Sequence, residues 1–445
     1  MFAPLPEKRA HLYLKKLFDA LEKNEVYLER ISLPSEERKE QGVMIGCLVC
    51  ANKNGEKIIL YALSGNSFEL RGNFDGVFVP PIVSSEKIKA ALFPNDKRIH
   101  ELTEKIKTAN DDEKFVLKKE REKLTTESLA RVHSLYEFHC IDGSVKKLTS
   151  LCKDKLPPTG TGDCTAPKLF DYAFLHSLFP VSMSEMYFGK ATTTKRPRET
   201  YTPCDERCAL ILPAMLGLHI VYRDDDILVV NKAHGLLSVP GRGEAKQDCV
   251  VSRMKKLFPK TIEFPSVHRL DMETSGLLVL AFTKEAQRAL SMQFEKGLVQ
   301  KKYIALLDGV LENANGSSAP KKNEKSGEMS LAFSLDWENR PKRIYDETNG
   351  KVGITAWEKL GYAWYRDADG KNRKTTRILF TPKTGRTHQL RLAASDEHGF
   401  GLPIVGDALY GKCEATEHLH LQAFYLSFLH PTTRERMTFE LEKEF

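Results

Sequence analysis

The sequence lacks any apolar run long enough to cross a lipid bilayer. The longest apolar stretch near its most motif-rich region, 276–282, is far short of the roughly 20 residues that a spanning helix needs. The N-terminal segment 1–17 also lacks the apolar core of a secretory signal peptide. We therefore expect neither a membrane partner nor secretion.

A regular cysteine framework is also missing. The nine cysteines of this 445-residue chain stand at irregular spacings, so a disulfide scaffold is not expected, and reduced thiols in the cytoplasm are the default. Cys47 and Cys50 lie in an apolar, strand-like run, where cysteine behaves as a small hydrophobe. Cys204 and Cys208, with Cys164 upstream, are the better metal candidates. Because the two short-spaced pairs lie far apart in the chain, we expect no metal, and less than one zinc per chain.

Strong charge of one sign is absent as well. Sixty-seven basic and 60 acidic residues give a net charge of +7. This mild excess permits an anionic partner such as RNA, but many proteins of this size carry it without binding anything anionic.

Changes of composition suggest four segments. At roughly 150 residues per domain, the length suggests about three domains, and no internal repeat is visible. We expect a mixed region over 1–94, a charged helical hairpin over 95–138, a loop-rich connection over 139–214 and a catalytic domain over 215–445.

The first two segments carry clear local signals. Two strand-like runs, 43–50 and 57–62, flank the turn signal Asn52-Lys-Asn-Gly55. In the hairpin, apolar residues recur at three- and four-residue intervals, and Asn110-Asp-Asp112 makes a plausible break. The hairpin has two interpretations of similar weight: an arm that contacts a large partner, or a solvated helical pair that packs on its own domain.

The chemistry is concentrated in three short segments. In 267–281 a charged stretch runs into an apolar strand, so Asp271 stands in a loop just before buried structure, where a carboxylate can act as nucleophile or base. In 383–391, Arg386 and Arg391 lie near a predicted helix start. In 301–309 the notable residue is Tyr303. Singly, each has an ordinary explanation: a salt-bridged carboxylate, a solvated helix start and a core tyrosine.

Together these segments match one family in order and spacing. The run His268-Arg-Leu-Asp-Met-Glu-Thr-Ser-Gly276 resembles the H-R-L-D-x-x-T-S-G signature of the RluA-type pseudouridine synthases. Further ordered segments that resemble the family are 227–242, 302–305, 385–391, 402–411 and 429–431. The resemblance covers about residues 215 to 445, half of the chain.

Finer matches resemble the RluA branch itself, at 238–242 and at 336–341 with 347–351. That branch acts on a uridine of 23S ribosomal RNA and on one in a tRNA anticodon stem-loop. Two departures bear on RNA fit: Ala233 stands where the family usually has proline, and Gln422 where it usually has histidine. The first 210 residues have no counterpart in the compact members. Segments such as 160–168 are akin to those of longer bacterial members, and the resemblance assigns this extension no function.

The resemblance implies an α+β fold with a mixed, mainly antiparallel sheet, preceded by an α/β extension that contains the helical hairpin. RNA would lie in a central cleft. The resemblance makes Asp271 the group that acts at C1′ of the uridine, with Arg391 paired to it and Tyr303 stacked on the target base. Arg269 would fill the gap left by the flipped nucleotide.

The remaining substrate-binding residues that the resemblance implies are His268, Thr274, Arg386, His388 and Gln389. The reaction needs no metal, redox step or nucleotide cofactor. The implied partners are 23S rRNA, tRNA or both, including ribosomal precursor particles.

Other classes of function remain open at this point. The C-terminal half could be an RNA-binding module that has lost turnover, or the N-terminal half could supply the main activity as a partner-binding arm. A hydrolase built on His268, Asp271 and His388 is a third interpretation, although no serine or cysteine stands in a recognisable nucleophile elbow.

Overall fold

The chain forms two compact units. A computed structural model describes residues 4–31, 42–152, 156–204, 206–318, 324–367, 370–413 and 418–445. The units are Met1–Arg223 and Asp224–Phe445. The sequence suggested a boundary at residues 214 and 215, but a helix, Cys208–Leu216, runs across that position.

The first unit mixes helices and strands. Its elements in chain order are α1 (Lys8–Glu22), β1 (Val26–Arg30), β2 (Val43–Ala51), β3 (Lys57–Leu63), β4 (Phe68–Gly72), β5 (Val77–Phe78), α2 (Ser85–Thr108), α3 (Asp111–His133), β6 (Glu137–His139), β7 (Val145–Lys147), α4 (Leu148–Leu151), α5 (Thr165–Leu175), β8 (Phe179–Phe188), α6 (Cys208–Leu216) and β9 (His219–Arg223). The main sheet has the order β5-β3-β2-β8, in which β5 alone runs parallel to its neighbour. The strands predicted at 43–50 and 57–62 thus exist, and Asn52 closes the predicted turn through its side chain.

Helices cover both faces of this sheet. The apolar stripe of α1, which includes Leu14 and Phe18, packs in one core with alternate residues of β2 such as Ile45. On the other face α5 approaches β2 closely, because a Cβ on Gly46 would lie 2.7 Å from Cβ of Thr165. Glycine at this position therefore fixes where α5 begins.

The helical hairpin is present as α2 and α3, but it begins at Ser85 rather than at residue 95. The Ser84 side chain caps α2, and the Asn110 side chain caps α3 at the predicted break. Pro94 lies inside α2, and near it the Arg131 side chain of α3 donates to the Ala91 carbonyl.

The second unit is built around one large sheet. Its elements are β10 (Ile227–Lys232), α7 (Val250–Leu257), β11 (Ser275–Ala281), α8 (Lys284–Glu295), β12 (Gln300–Leu307), β13 (Ser326–Leu335), β14 (Arg343–Tyr345), β15 (Lys351–Arg366), β16 (Asn372–Pro382), α9 (Gln389–Ser395), β17 (Leu421–Leu429) and β18 (Arg436–Glu440). Within this unit the strand order is β14-β13-β15-β16-β12-β17-β11-β10, with β18 also paired to β17. The β11–β17 pair is parallel and the other pairs are antiparallel, which confirms the predicted mixed, mainly antiparallel α+β fold.

The parallel junction between β11 and β17 depends on one glycine. Gly276 lies opposite Ala423, and its φ of +112° is in the region that favours glycine. A Cβ there would lie 2.3 Å from the Ala423 carbonyl oxygen. All seven residues of β11 are buried, so this junction anchors the loop that carries Asp271. Across the ranges described above, no helix is both long and apolar enough to cross a membrane.

We expect Gly276→Ala to lower the free energy of unfolding of the second unit by about 3 kcal/mol. The positive φ would strain the alanine backbone, and the added methyl group would clash with the backbone of Ala423. All three tryptophans of the chain, Trp337, Trp357 and Trp364, lie in this unit, so urea unfolding followed by tryptophan fluorescence reports on it selectively. Gly235→Ala is the matched control, because Gly235 also has positive φ but no other atom would lie within 4 Å of the added methyl group. Gly235→Ala should lower the free energy of unfolding by only about 1 kcal/mol. Equal losses in both variants would contradict the packing argument.

Candidate active site

One cleft of about 570 Å³ in the second unit collects the residues that the sequence singled out. It is lined by the loop before β11, by β12, and by the loop that leads into α9. The residues named from the sequence that line it are His268, Arg269, Asp271, Thr274, Tyr303, Arg386, His388, Gln389 and Arg391. Three segments far apart in the chain thus meet around one space.

The loop that carries Asp271 is pinned on both sides. The buried Lys232, at the end of β10, donates from Nζ to the carbonyls of Ala233, Leu236 and Met272 at 2.8, 2.7 and 2.8 Å. The Ser238 hydroxyl donates to the Leu270 carbonyl at 2.7 Å and accepts from the Leu270 N–H at 3.0 Å. The backbone of the residues flanking Asp271 is therefore held by hydrogen bonds, which limits the movement of its carboxylate.

Arg391 pairs with Asp407 and not with Asp271, the partner that the resemblance implied. The guanidinium donates from Nε and Nη2 to the two carboxylate oxygens of Asp407, at 2.8 and 2.5 Å. Both side chains are buried. Burial alone would lower the pKa of Arg391. The hydrogen bonds and negative charge of Asp407 outweigh burial and raise this pKa, and the negative charge of Asp271 raises it further. A buried guanidinium needs a close counter-ion, and the buried Asp407 supplies two oxygens in the right plane.

The basic side chain nearest to Asp271 among the described residues is that of a histidine. Nε2 of His388 lies 4.0 Å from Oδ1 of Asp271, whose side chain is 20% exposed. Nδ1 of His388 is 2.9 Å from the Tyr410 hydroxyl, which accepts from the Arg343 N–H. Burial is the main reason that the pKa of His388 is lowered, with the charge of Asp271 acting the other way. At neutral pH this places a neutral imidazole beside the carboxylate.

The backbone of His388 is unusual. It has a φ of 56°, in the left-handed region, and it precedes α9 directly. Such a conformation costs about 1–3 kcal/mol in a non-glycine residue and persists where surrounding contacts impose it. Here the Tyr410 hydroxyl holds the imidazole, so the strained backbone aims the ring at Asp271.

Tyr303 lies on β12, next to an irregularity in its pairing with β17 between Lys302 and Tyr303. Burial, with the charge of Asp271 second, raises the pKa of Tyr303 well above its ordinary value. The phenol is therefore protonated at neutral pH and presents an apolar ring and one O–H to the cleft.

Two of the implied substrate-binding residues have their polar atoms bonded within the protein. Nε2 of His268 accepts from the Val279 N–H at 3.0 Å, and its ring stacks on Phe294 at 4.4 Å. Burial, with Lys301 second, lowers the pKa of His268 to about 3. Gln389 accepts from the Thr384 hydroxyl and the Arg386 N–H and donates to Ile354 and Thr355. Both side chains shape the cleft walls.

The remaining predicted residues divide by exposure. Thr274 is buried, and its N–H donates to the Asp271 carbonyl, closing the turn that carries the carboxylate. Arg269 and Arg386 are exposed at the cleft, where Arg386 donates from Nε to the Val352 carbonyl. Exposed guanidinium groups at a cleft are typical of phosphate contacts.

Sequence reasoning missed four residues of the site: Lys232, Lys301, Asp407 and Tyr410. Asp407 and Tyr410 lie in the segment 402–411, and Lys232 lies in 227–242, both of which carry the family resemblance. Lys301 lines the cleft beside Tyr303, and burial lowers its pKa. A charged residue in an otherwise apolar run, as Lys232 is after Leu228-Val-Val-Asn, was the available signal that its side chain meets polar groups inside.

The hydrolase interpretation finds no nucleophile in this geometry. Among the described residues that line the cleft, none is serine or cysteine. Since Nε2 of His268 already accepts a backbone hydrogen bond, that histidine is also not available as a general base towards a substrate.

Comparison with known proteins agrees with the sequence resemblance. A family model described as RNA pseudouridylate synthase matches residues 226–396. The dual-specificity RNA pseudouridine synthase RluA of Escherichia coli strain K12 is 39% identical over 231 residues, which cover 51% of this chain and 94% of RluA. RluA of Yersinia pestis is 40% identical over 229 residues, covering 51% of this chain and 99% of that protein. Among solved structures, human RNA pseudouridylate synthase domain containing 1 is 29% identical, with a TM-score of 0.39, over 51% of this chain and 83% of that chain.

The buried pair of Arg391 and Asp407 generates a stability prediction. Asp407→Asn should lower the free energy of unfolding of the second unit by about 3 kcal/mol, because it leaves a buried guanidinium without its counter-charge. The double variant with Arg391→Met should cost less than the sum of the two single changes. Urea unfolding followed by tryptophan fluorescence measures both. Asp396→Asn, whose partner His398 is 42% exposed, is the control and should cost less than about 1 kcal/mol. Additive losses for Asp407 and Arg391 would show that the two side chains do not depend on each other.

Proposed function

This chain belongs to the RNA pseudouridine synthases of the RluA type, and we propose that it isomerises specific uridines in 23S ribosomal RNA, in a tRNA anticodon stem-loop, or in both. The observation that carries the proposal is the cleft itself. It brings Asp271, Tyr303 and Arg391 together from three separate segments, with exposed arginines at its surface.

Pseudouridine formation breaks the N1–C1′ bond of uridine, turns the uracil and rejoins it to C1′ through C5. We propose that the Asp271 carboxylate attacks or assists at C1′ and later takes part in proton transfer. The support for this role is geometric. The backbone on either side of Asp271 is hydrogen-bonded to Lys232 and Ser238, and the carboxylate remains accessible from the cleft. A nucleophile that is held in place needs little reorganisation when the substrate arrives.

Tyr303 and Arg391 take different roles in this proposal. The protonated phenol of Tyr303 stacks on the target base and supplies a ring that holds the uracil while it turns. Arg391 acts on Asp271 only electrostatically and from a distance, because its own hydrogen bonds go to Asp407. Asp407 is thus a positioning residue.

Access to the target requires that the nucleotide leave its stack. Extrusion of a base costs a few kcal/mol, and an intruding cation with a stacking aromatic offsets part of this cost. Arg269, which is exposed and lies two residues before Asp271, is the proposed intruding side chain. Arg386 and Lys301, which also line the cleft, are the proposed phosphate contacts.

The name that the relatives carry, dual-specificity RNA pseudouridine synthase, supports two classes of RNA substrate for this chain as well. We place the activity in the cytoplasm, where both RNAs and ribosomal precursor particles occur. Mapping pseudouridines in total RNA from cells with and without the gene tests this. Loss of modification at one 23S rRNA site, one anticodon stem-loop site or both is expected, and an unchanged map would overturn the proposal.

A second candidate, an RNA-binding protein whose synthase domain has lost turnover, makes a different prediction. Such a protein would bind RNA without altering the pseudouridine map. The presence of Asp271, Tyr303 and Arg391 in one cleft favours the enzyme.

We expect Asp271→Asn to abolish turnover and to leave RNA binding nearly unchanged, because most binding free energy comes from phosphate contacts. Single-turnover assays and filter binding on the same RNA measure the two properties. Glu273→Gln is the matched control, since it removes one negative charge from the same loop without lining the cleft. Residual turnover above a few per cent in Asp271→Asn would remove Asp271 from the proposed role.

We expect Arg269→Ala to lower turnover about 10- to 100-fold on a structured stem-loop and much less on an unstructured RNA, because only the structured target must be unstacked. Asp271→Asn should abolish turnover on both RNAs, since it acts after flipping. Arg288→Ala, an arginine of α8 outside the cleft, controls for the lost positive charge. The same loss on both RNAs would make Arg269 a structural residue of the loop.

A further inference from the structure

Three cysteines of the first unit, distant in sequence, meet in one cluster. The sulfur atoms of Cys164, Cys204 and Cys208 all lie within 4.8 Å of one another. None of them is in a disulfide. Cys164 is the N-cap of α5, and Cys208 is the first residue of α6, so two helices begin at the cluster. This cluster plays no part in the cleft described above, which lies in the other unit.

The surroundings of the cluster suit thiolates. Cys204 lies just before α6, and the Ala209 N–H in the first turn of that helix donates to the Cys204 carbonyl. Free N–H groups at a helix start favour negative charge on an adjacent group.

A buried carboxylate stands beside the three thiols. Glu185, on β8, is buried, with 6% of its surface exposed. It lies within electrostatic range of all three cysteines. The backbone around it is tied to the segment that leads to Cys204, because the Tyr201 N–H donates to the Glu185 carbonyl. A cation bound by the thiolates would offset the cost of burying this acid beside them.

The dimensions match a tetrahedral thiolate site. A Zn–S bond of about 2.3 Å places the sulfurs of a tetrahedral site about 3.8 Å apart, which the observed cluster approaches. Ca²⁺ and Mg²⁺ prefer oxygen ligands and do not suit three sulfurs. A disulfide would draw two sulfurs to about 2.05 Å and leave the third beside a buried carboxylate without a partner.

We propose that Cys164, Cys204 and Cys208 form a structural zinc site in the first unit, with three thiolates as the ligands that this unit supplies. The proposal replaces the expectation of less than one zinc per chain, which treated Cys47–Cys50 and Cys204–Cys208 as the two halves of a site. Cys47 and Cys50 are buried in β2, where burial raises the pKa of Cys50 to about 12, and Cys164 is instead the third thiol.

A zinc ion held in this way would link the starts of α5 and α6. Because the ion would connect two helix starts, we expect its effect to be on the stability of the first unit. The sulfur of Cys204 is on an exposed residue, which gives the ion a route of entry.

The test uses the full-length protein, freed of metal by a chelator under reducing conditions and titrated with Co²⁺. We expect one Co²⁺ per chain, with the thiolate-to-cobalt charge-transfer bands and the d–d bands of a tetrahedral site, and displacement by one equivalent of Zn²⁺. Elemental analysis of protein purified without added metal should give about one zinc per chain. No saturable binding, or octahedral cobalt bands, would overturn the proposal.

Matched variants locate the ion. Cys204→Ser should weaken Co²⁺ binding by about 100-fold or more, because the site loses one of three thiolates. Cys204 is exposed, so this change should leave the apo fold intact, which circular dichroism checks. Cys413→Ser, at an exposed cysteine of the other unit, is the control and should bind as the wild type does. Equal affinity in both variants would show that the metal is held elsewhere.

Two further measurements separate the alternatives. Glu185→Gln should leave the cobalt bands sulfur-dominated, because the three thiolates hold the ion, and loss of these bands would overturn that assignment. Thiols counted after unfolding of anaerobically purified, metal-free protein should number nine, one for each cysteine. Seven thiols in protein isolated without zinc would overturn the metal site in favour of a disulfide.

Discussion

The buried ion pair between Arg391 and Asp407 is the interaction on which the geometry of the cleft depends. It joins the first turn of α9 to the segment that follows it, with both charged groups removed from water. The same Asp407 carboxylate accepts from the N–H groups of Leu409 and Tyr410, which places the Tyr410 hydroxyl against His388. One carboxylate therefore orders two residues near Asp271. A buried pair of this kind is a weak source of net stability but a strong constraint on geometry, because either partner alone would be costly.

The loop that carries Asp271 is held by the buried ammonium group of Lys232, which binds backbone carbonyls. Lys232 uses its three donors on three carbonyls, and one of these, Met272, directly follows Asp271. Burial lowers the pKa of Lys232 to about 8, while the charges of Glu273 and Asp271 act in the other direction. The Asp271 loop thus packs around an ammonium, and the parallel β11–β17 junction at Gly276 fixes where the following strand begins.

The two units use charged and polar groups in the same manner. In the first unit the buried Lys168 on α5 donates to the carbonyls of Leu63 and Gly65 and to the Asn66 side chain. This ties the start of α5 to the end of β3, close to the point where the cysteine cluster forms. The ammonium group of a buried lysine has three donors, so it can hold carbonyl oxygens from several segments at one point.

The sequence alone determined the local features. The strands at 43–51 and 57–63, the turn at Asn52 and the cap at Asn110 follow from residue types within a few positions, so pattern reasoning found them. The start of α2 was misplaced because Pro94 lies inside the helix and its apolar stripe is weak. The motif around Asp271 indicated the family because its residues are contiguous in the sequence.

Only the tertiary structure decided which side chains became partners. Arg391 pairs with Asp407 rather than Asp271, and His268 and Gln389 direct their polar atoms to the protein, because the segments that surround them are fixed by sheet order. The three cysteines show this most clearly. The sequence marked them as the better metal candidates but could not place them together. In the structure α5 is held against β2 at Gly46 and α6 begins at Cys208, which brings the three sulfurs together. Contacts between distant segments depend on packing, and no local pattern encodes them.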